Sequence, residues 1–138
     1  MKAKEYMLQV QKLDTIIENK LAEVERWRDI ATGTTAQSEG DRVQATGSKQ
    51  RMADAVVQYV TIQAEINADI DRLADLKKEI IKTIESLSVD EYDILHKVYV
   101  QQMTLQETAS MKDKSYSWVT TMHGRALANL QKILDERK

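Results

Sequence analysis

The densest group of side chains able to do chemistry lies between residues 112 and 132. There Lys112, Lys114, Arg125 and Lys132 face a single acid, Asp113. Cations in such a cluster suit the phosphates of duplex DNA, where each neutralised phosphate releases a condensed counterion. Hydroxyl and aromatic residues interleave with them. They are Tyr116, Ser117, Trp118, Thr120 and Thr121, on a helix that Ser115 would cap. Lys112, Lys114, His123 and Arg125 would meet phosphates. Serine and threonine bond base edges with little selectivity, and a threonine methyl packs on thymine. None of these residues supplies the bidentate arginine fork that reads guanine, so weak base discrimination is expected of such a surface. The plain alternatives are a solvated helix face, a Trp118 that covers the edge of a domain, and a solvent-facing His123.

Other chemistry lacks its parts. The chain has no cysteine and two histidines, His96 and His123, which removes thiolate sites and makes a protein-built metal site improbable. It carries no Ser/His/Asp set, no phosphate-cradling glycine loop and no HExxH motif. Its carboxylates recur at helical i,i+3 and i,i+4 spacings rather than as facing pairs. Neither catalysis nor a cofactor is expected. No apolar run approaches the ~18 residues of a membrane span, and MKAKEYMLQVQK at the start alternates charge with apolar residues, unlike a secretory segment. A soluble, intracellular protein is the expectation. The net charge of −2 argues against a general nucleic-acid coat. It averages two unlike parts, because residues 1–86 hold 13 Lys+Arg and 15 Asp+Glu, whereas residues 87–138 hold seven of each.

The elements that must position these residues are helical. Across 138 residues there is no proline and only four glycines, so little interrupts a helix. Tyr6, Val10, Leu13, Ile17, Lys20, Val24, Trp27 and Ala31 recur at alternating steps of four and three, an a/d heptad seam. A second seam runs through Met52, Val56, Tyr59, Gln63, Ile66, Ile70, Leu73, Lys77, Ile80, Ile84 and Leu87. Gln63 and Lys77 share one heptad position, where polar residues commonly set register and oligomer state. Between the seams, residues 32–49 are rich in Thr, Ser and Gly and read as a long loop. The expectation is a long antiparallel, coiled-coil-like hairpin over 1–86. Its apolar stripes are wider than a two-helix contact needs. Met52, Val56, Tyr59, Ile66, Ile70, Leu73, Ile80 and Ile84 are expected to form a self-association seam, giving a homodimer or higher homo-oligomer; packing on the C-terminal domain is the alternative.

Residues 87–138 change character. Ser88-Val89-Asp90-Glu91 and Thr104-Leu105-Gln106-Glu107 both have capping-box form. The first opens a supporting helix with Tyr92, Leu95, Val98 and Tyr99 on one face. The second opens a short helix ending near Ser110, then a turn over Met111–Lys114. The last helix carries Val119, Met122, Ala126, Leu127, Leu130, Ile133 and Leu134 on its apolar side. Short helix, tight turn and long helix make a helix-turn-helix pattern.

These residues resemble region 4 of bacterial sigma factors, the module that reads the promoter −35 element. Thr104-Leu105-x-Glu107-x-Ala109 is similar to that family's first helix. Val119, Met122, Ala126-Leu127 and Leu130 match the spacing of its recognition helix, without a gap. Lys112 and Lys114 stand where the family has apolar residues. The resemblance implies that Tyr116, Ser117, Thr120 and Thr121 face base edges, with Trp118 at the margin, because they hold the DNA-facing positions of that family's recognition helix. The whole architecture, with its GDRVQATGSKQRMADAV junction, resembles small phage and prophage regulators of the RinA and ArpU type. The resemblance implies a transcriptional regulator, encoded by a phage or prophage and acting in a bacterial cytoplasm. It would bind double-stranded DNA and use its hairpin for self-association or contact with a partner such as RNA polymerase. The alternative is a protein–protein adaptor whose sigma-like tail no longer binds DNA.

Overall fold

The structure, a computed structural model, describes residues 1–33 and 45–137. It is all-α, with no strand among the described residues. The helices are α1 (Ala3–Thr32), α2 (Ala45–Ile84), α3 (Val89–Leu95), α4 (Leu105–Lys112) and α5 (Tyr116–Glu136). α3 runs directly into a π-helical turn, His96–Val100, closed where the Gln101 N–H donates to the His96 carbonyl at 2.9 Å. The expected loop over 32–49 is shorter at both ends. Thr32 is the last residue of α1, Gly33 leaves the helix with φ of 71°, and 45–49 already belong to α2. The remainder, 34–44, falls outside the described residues. The low helix propensity of the Thr46-Gly47-Ser48 run disguised the start of α2, yet extending a nucleated helix costs only ~1 kcal/mol at glycine and less elsewhere.

The chain forms two compact units that do not divide at 86/87. One spans Thr15–Arg72. The other combines Met1–Asp14 with Leu73–Lys138, so the first turns of α1 and the last turns of α2 belong with the C-terminal helices. The reason is a shared core: Tyr6, Met7 and Val10 from α1 and Ile80 and Ile84 from α2 cluster with Leu95, Tyr99, Ala126 and Leu130. The Tyr6 hydroxyl donates to Thr83 Oγ1 at 3.0 Å within this unit.

In the Thr15–Arg72 unit the two helices run antiparallel. Lys20 Nζ lies 2.7 Å from Asp69 Oδ2 and 3.3 Å from Glu65, while the methyl end of Met52 approaches Gly33. Asp69 is buried and also pairs with Arg72 at 3.3 Å. The carboxylates facing Lys20, Asp69 first, hold its ammonium above the usual lysine range against the opposing effect of burial.

This pair explains a correction to the expected seam. Tyr59, Ile66, Leu73 and Ile80 do lie on the inward stripe, but Ala55 and Asp69 are the buried residues beside them and Leu76 packs against the larger core. The expected Val56 and Ile70 sit one flank over, in solvent, while Gln63 and Lys77 are half-buried. Heptad spacing alone does not distinguish Ala55 from Val56 or Asp69 from Ile70. Ile66, Ile80 and Ile84 are buried within the chain, leaving them nothing to offer another copy. Leu73 and Tyr59 are half-buried, whereas Met52, Val56 and Ile70 are exposed by 37, 47 and 48%. Ile80→Ala should therefore lower the unfolding free energy by about 2–5 kcal/mol, and Ile70→Ala by roughly 0.5 kcal/mol or less. Urea titration followed by circular dichroism measures both.

Candidate nucleic-acid interface

α4 opens with the capping box expected of its sequence. Thr104 Oγ1 accepts from the Glu107 N–H at 3.0 Å, and Glu107 Oε1 accepts from the Thr104 N–H at 3.0 Å. The helix runs two residues past Ser110 and ends at Asp113, which adopts a left-handed conformation with φ of 57°. The Lys114 N–H then reaches back to the Ala109 carbonyl at 3.0 Å, satisfying a group that the helix end would leave orphaned. Ser115 caps α5 by accepting from the Trp118 N–H at 3.1 Å. The turn is thus Asp113–Ser115, tighter than the four residues expected.

α5 is held by one apolar stripe. Val119 packs with Ile94 and Ala109 in a small core, flanked by Trp118, Met122, Val98 and Leu105. Ala126 and Leu130 enter the larger core. Anchoring this stripe leaves Tyr116, Ser117, Thr120, Thr121, Gly124 and Arg125 exposed. The four residues expected to face base edges are therefore together on the outer side of the first two turns. The Thr120 hydroxyl already donates to the Tyr116 carbonyl at 2.6 Å, so it offers outward only acceptor lone pairs and a methyl.

The four expected phosphate contacts separate. Lys114 and Arg125 are exposed, as is Lys132. The Lys114 ammonium lies 5.2 Å from the centre of the Trp118 ring, a cation–π distance that positions the charge. Trp118 itself is half-buried at the margin of the small core. Lys112 points inward: its side chain is 12% exposed and bonds Asp93 at 2.6 Å, with Asp90 at 3.5 Å. It joins the end of α4 to α3. Burial opposes its charge, but the Asp93 and Asp90 carboxylates prevail and raise its pKa. His123 is also committed inward, hydrogen-bonded to the Tyr99 hydroxyl at 2.8 Å and stacked on that ring with an interplanar angle of 21°. Burial, aided by the charge of Lys4, lowers its pKa, so neutral His123 lacks the charge a phosphate contact would use.

The residues that aim α5 are set by tertiary packing. Glu91 is buried, and besides closing its capping box with Ser88 it accepts a short hydrogen bond from Asn129 Nδ2 on α5. Burial works against its charge. The bonds from Ser88 and Asn129, with the nearby Arg125 charge, outweigh burial and hold the carboxyl below the usual range. Asp93 is depressed likewise: Lys112 and Lys97 overcome the desolvation of the site. The capping motif announced Glu91 as a local residue, and only the tertiary packing gives its second oxygen a partner. Among the described residues, no group of His, Cys, Asp and Glu is placed to hold a metal, and no helix is long and apolar enough to cross a membrane.

The class defined here is an all-α protein whose C-terminal helices end in a short helix, a tight turn and a long helix with no acid before Asp135. Comparison with known proteins gives no match to a family model, a curated protein or a solved structure.

The shifted side chains set a two-stage acid response. His96 and His123 have lowered pKa values in the fold, so the unfolded chain takes up protons there first. Stability falls as pH drops below about 6.5, the ordinary histidine value. Glu91, Asp93 and Glu107 are depressed carboxyls. Their contribution is complete above about 4.5 and is lost as pH falls through their folded values. Thermal unfolding from pH 8 to 3 should display both stages, and His123→Gln should shrink the first while leaving the second.

Proposed function

We propose that the protein is a DNA-binding transcriptional regulator of the phage, sigma-like kind, acting in a bacterial cytoplasm through the outer face of α5. The observation that carries this reading is the make-up of that face. Tyr116, Ser117, Thr120 and Thr121 are exposed together, Lys114 and Arg125 flank them, and no acid occurs between Asp113 and Asp135. A helix so anchored by its opposite stripe presents a rigid, weakly cationic surface of hydroxyls. That composition suits phosphate contacts with modest base discrimination.

With Lys112 and His123 turned inward, Lys114, Arg125 and Lys132 remain as phosphate partners. Three such contacts correspond to a slope of log affinity against log salt of roughly −2 to −3. One observation favours the adaptor reading, in which α5 docks on a protein such as RNA polymerase. Two of the four expected cations are used internally, and the base-facing set contains no arginine.

Fluorescence anisotropy with a labelled duplex from the gene's own upstream region, over a salt series, separates the two. Lys114→Ala and Arg125→Ala should each weaken binding several-fold and flatten the slope by about one. Lys112→Ala should leave the slope unchanged while lowering unfolding free energy by roughly 1–2 kcal/mol. Absence of binding at low salt would favour the adaptor.

A further inference from the structure

The Thr15–Arg72 unit carries a second stripe on α2 that its own fold does not use. Lys49, Ala53, Val56, Val60, Ala64, Asn67 and Asp71 are all exposed, with Val56 at 47% and Val60 at 58%. They follow one another at steps of 4, 3, 4, 4, 3 and 4. The mean step, about 3.7 residues, is close to the helical repeat, so the seven share one straight face. Met52 and Val57 broaden it, exposed by 37 and 62%. From Ala55 to Ala64 the helix has no charged residue at all. A continuous apolar strip of this kind on a helix surface marks a contact site.

The spacing is palindromic about Val60. Turning a second α2 end for end over the first sets Val60 on Val60, Val56 on Ala64, Ala53 on Asn67, and Lys49 on Asp71. The small side chains at Ala53 and Ala64 permit close approach, and a salt bridge forms at each end of the strip. A parallel alignment would instead set lysine on lysine and aspartate on aspartate. We infer that the protein is a homodimer whose two-fold axis passes the Val60 side chains, with the α2 helices antiparallel and the Lys49 and Asp71 side chains paired between copies. Such an interface is isologous, the self-complementary kind that closes on itself. It uses the outer strip rather than the buried seam, and it does not depend on DNA binding.

The chain has no cysteine, which makes the geometry directly readable by oxidation. Lys49→Cys and Asp71→Cys, mixed and mildly oxidised, should give a mixed disulfide dimer, and neither variant alone should cross-link efficiently. Cross-linking of Lys49→Cys with itself would establish a parallel pair and overturn the inference. Sedimentation velocity over a concentration series supplies an independent arm. Val60→Glu, at an exposed site that folding does not need, should leave helicity intact and abolish the dimer. Lys49→Glu or Asp71→Lys should weaken it about tenfold, because two end pairs turn repulsive, and the double swap should restore it. A concentration-independent monomer for the unmodified protein, or a dimer indifferent to Val60→Glu, overturns the inference. Anisotropy of the same Val60→Glu protein on duplex DNA is read separately, so loss of the dimer and loss of DNA binding are distinguishable.

Discussion

Burial of one stripe of α5 governs what the C-terminal unit can show to a partner. Val119, Ala126 and Leu130 are each fully excluded from solvent, and burying side chains of this size stabilises by about 1.5–3 kcal/mol for the larger two. Because the stripe engages two cores at once, α5 cannot rotate without emptying one of them. Its opposite face is fixed as a consequence, and Tyr116, Ser117, Thr120 and Thr121 point outward whatever they bind. The larger core extends this constraint through Tyr6, Met7, Ile80 and Ile84, so the ends of the long helices brace the helix proposed to read DNA.

Charge follows the same division. Inward-facing charges are matched: Lys112 with Asp93, Glu91 with Asn129 and Ser88, Lys20 with Asp69. Each ties two helices together, and among the described residues no buried side-chain polar atom lacks a partner. Outward charges on α5 before Asp135 are cationic and few. A cluster that looks uniformly basic along the chain is thus two populations, one holding helices and one free to meet a ligand. This split gives the proposed interface a smaller electrostatic reach than the sequence suggests.

Local signals were readable from the sequence, and long-range choices were not. Ser88, Thr104 and Ser115 each announce a helix start through neighbours three residues away, and each cap is found in place. The apolar face of α5 follows from its period alone. In α2, heptad spacing allows either flank beside Tyr59 and Ile66, so it does not choose between Val56 and Ala55 or between Ile70 and Asp69. The deciding fact, Asp69 buried against Lys20, depends on a partner 49 residues away. The same blindness applies to Lys112, His123 and Glu91, whose partners lie on other helices. The π turn at His96–Val100 has no motif that would forecast it. Of the exposed strip around Val60, only Val56 coincides with the heptad seam, so the strip has no heptad signal of its own.

The central claim, that the outer face of α5 meets DNA, is tested most directly by an NMR titration of the isotope-labelled protein with a short duplex at low salt. Backbone amides from Lys114 to Arg125 should shift progressively, with those beside Lys112–Asp93 and along the Thr15–Arg72 unit little changed. Saturating shifts confined to another surface, or no shifts at duplex concentrations well above that of the protein, would contradict it.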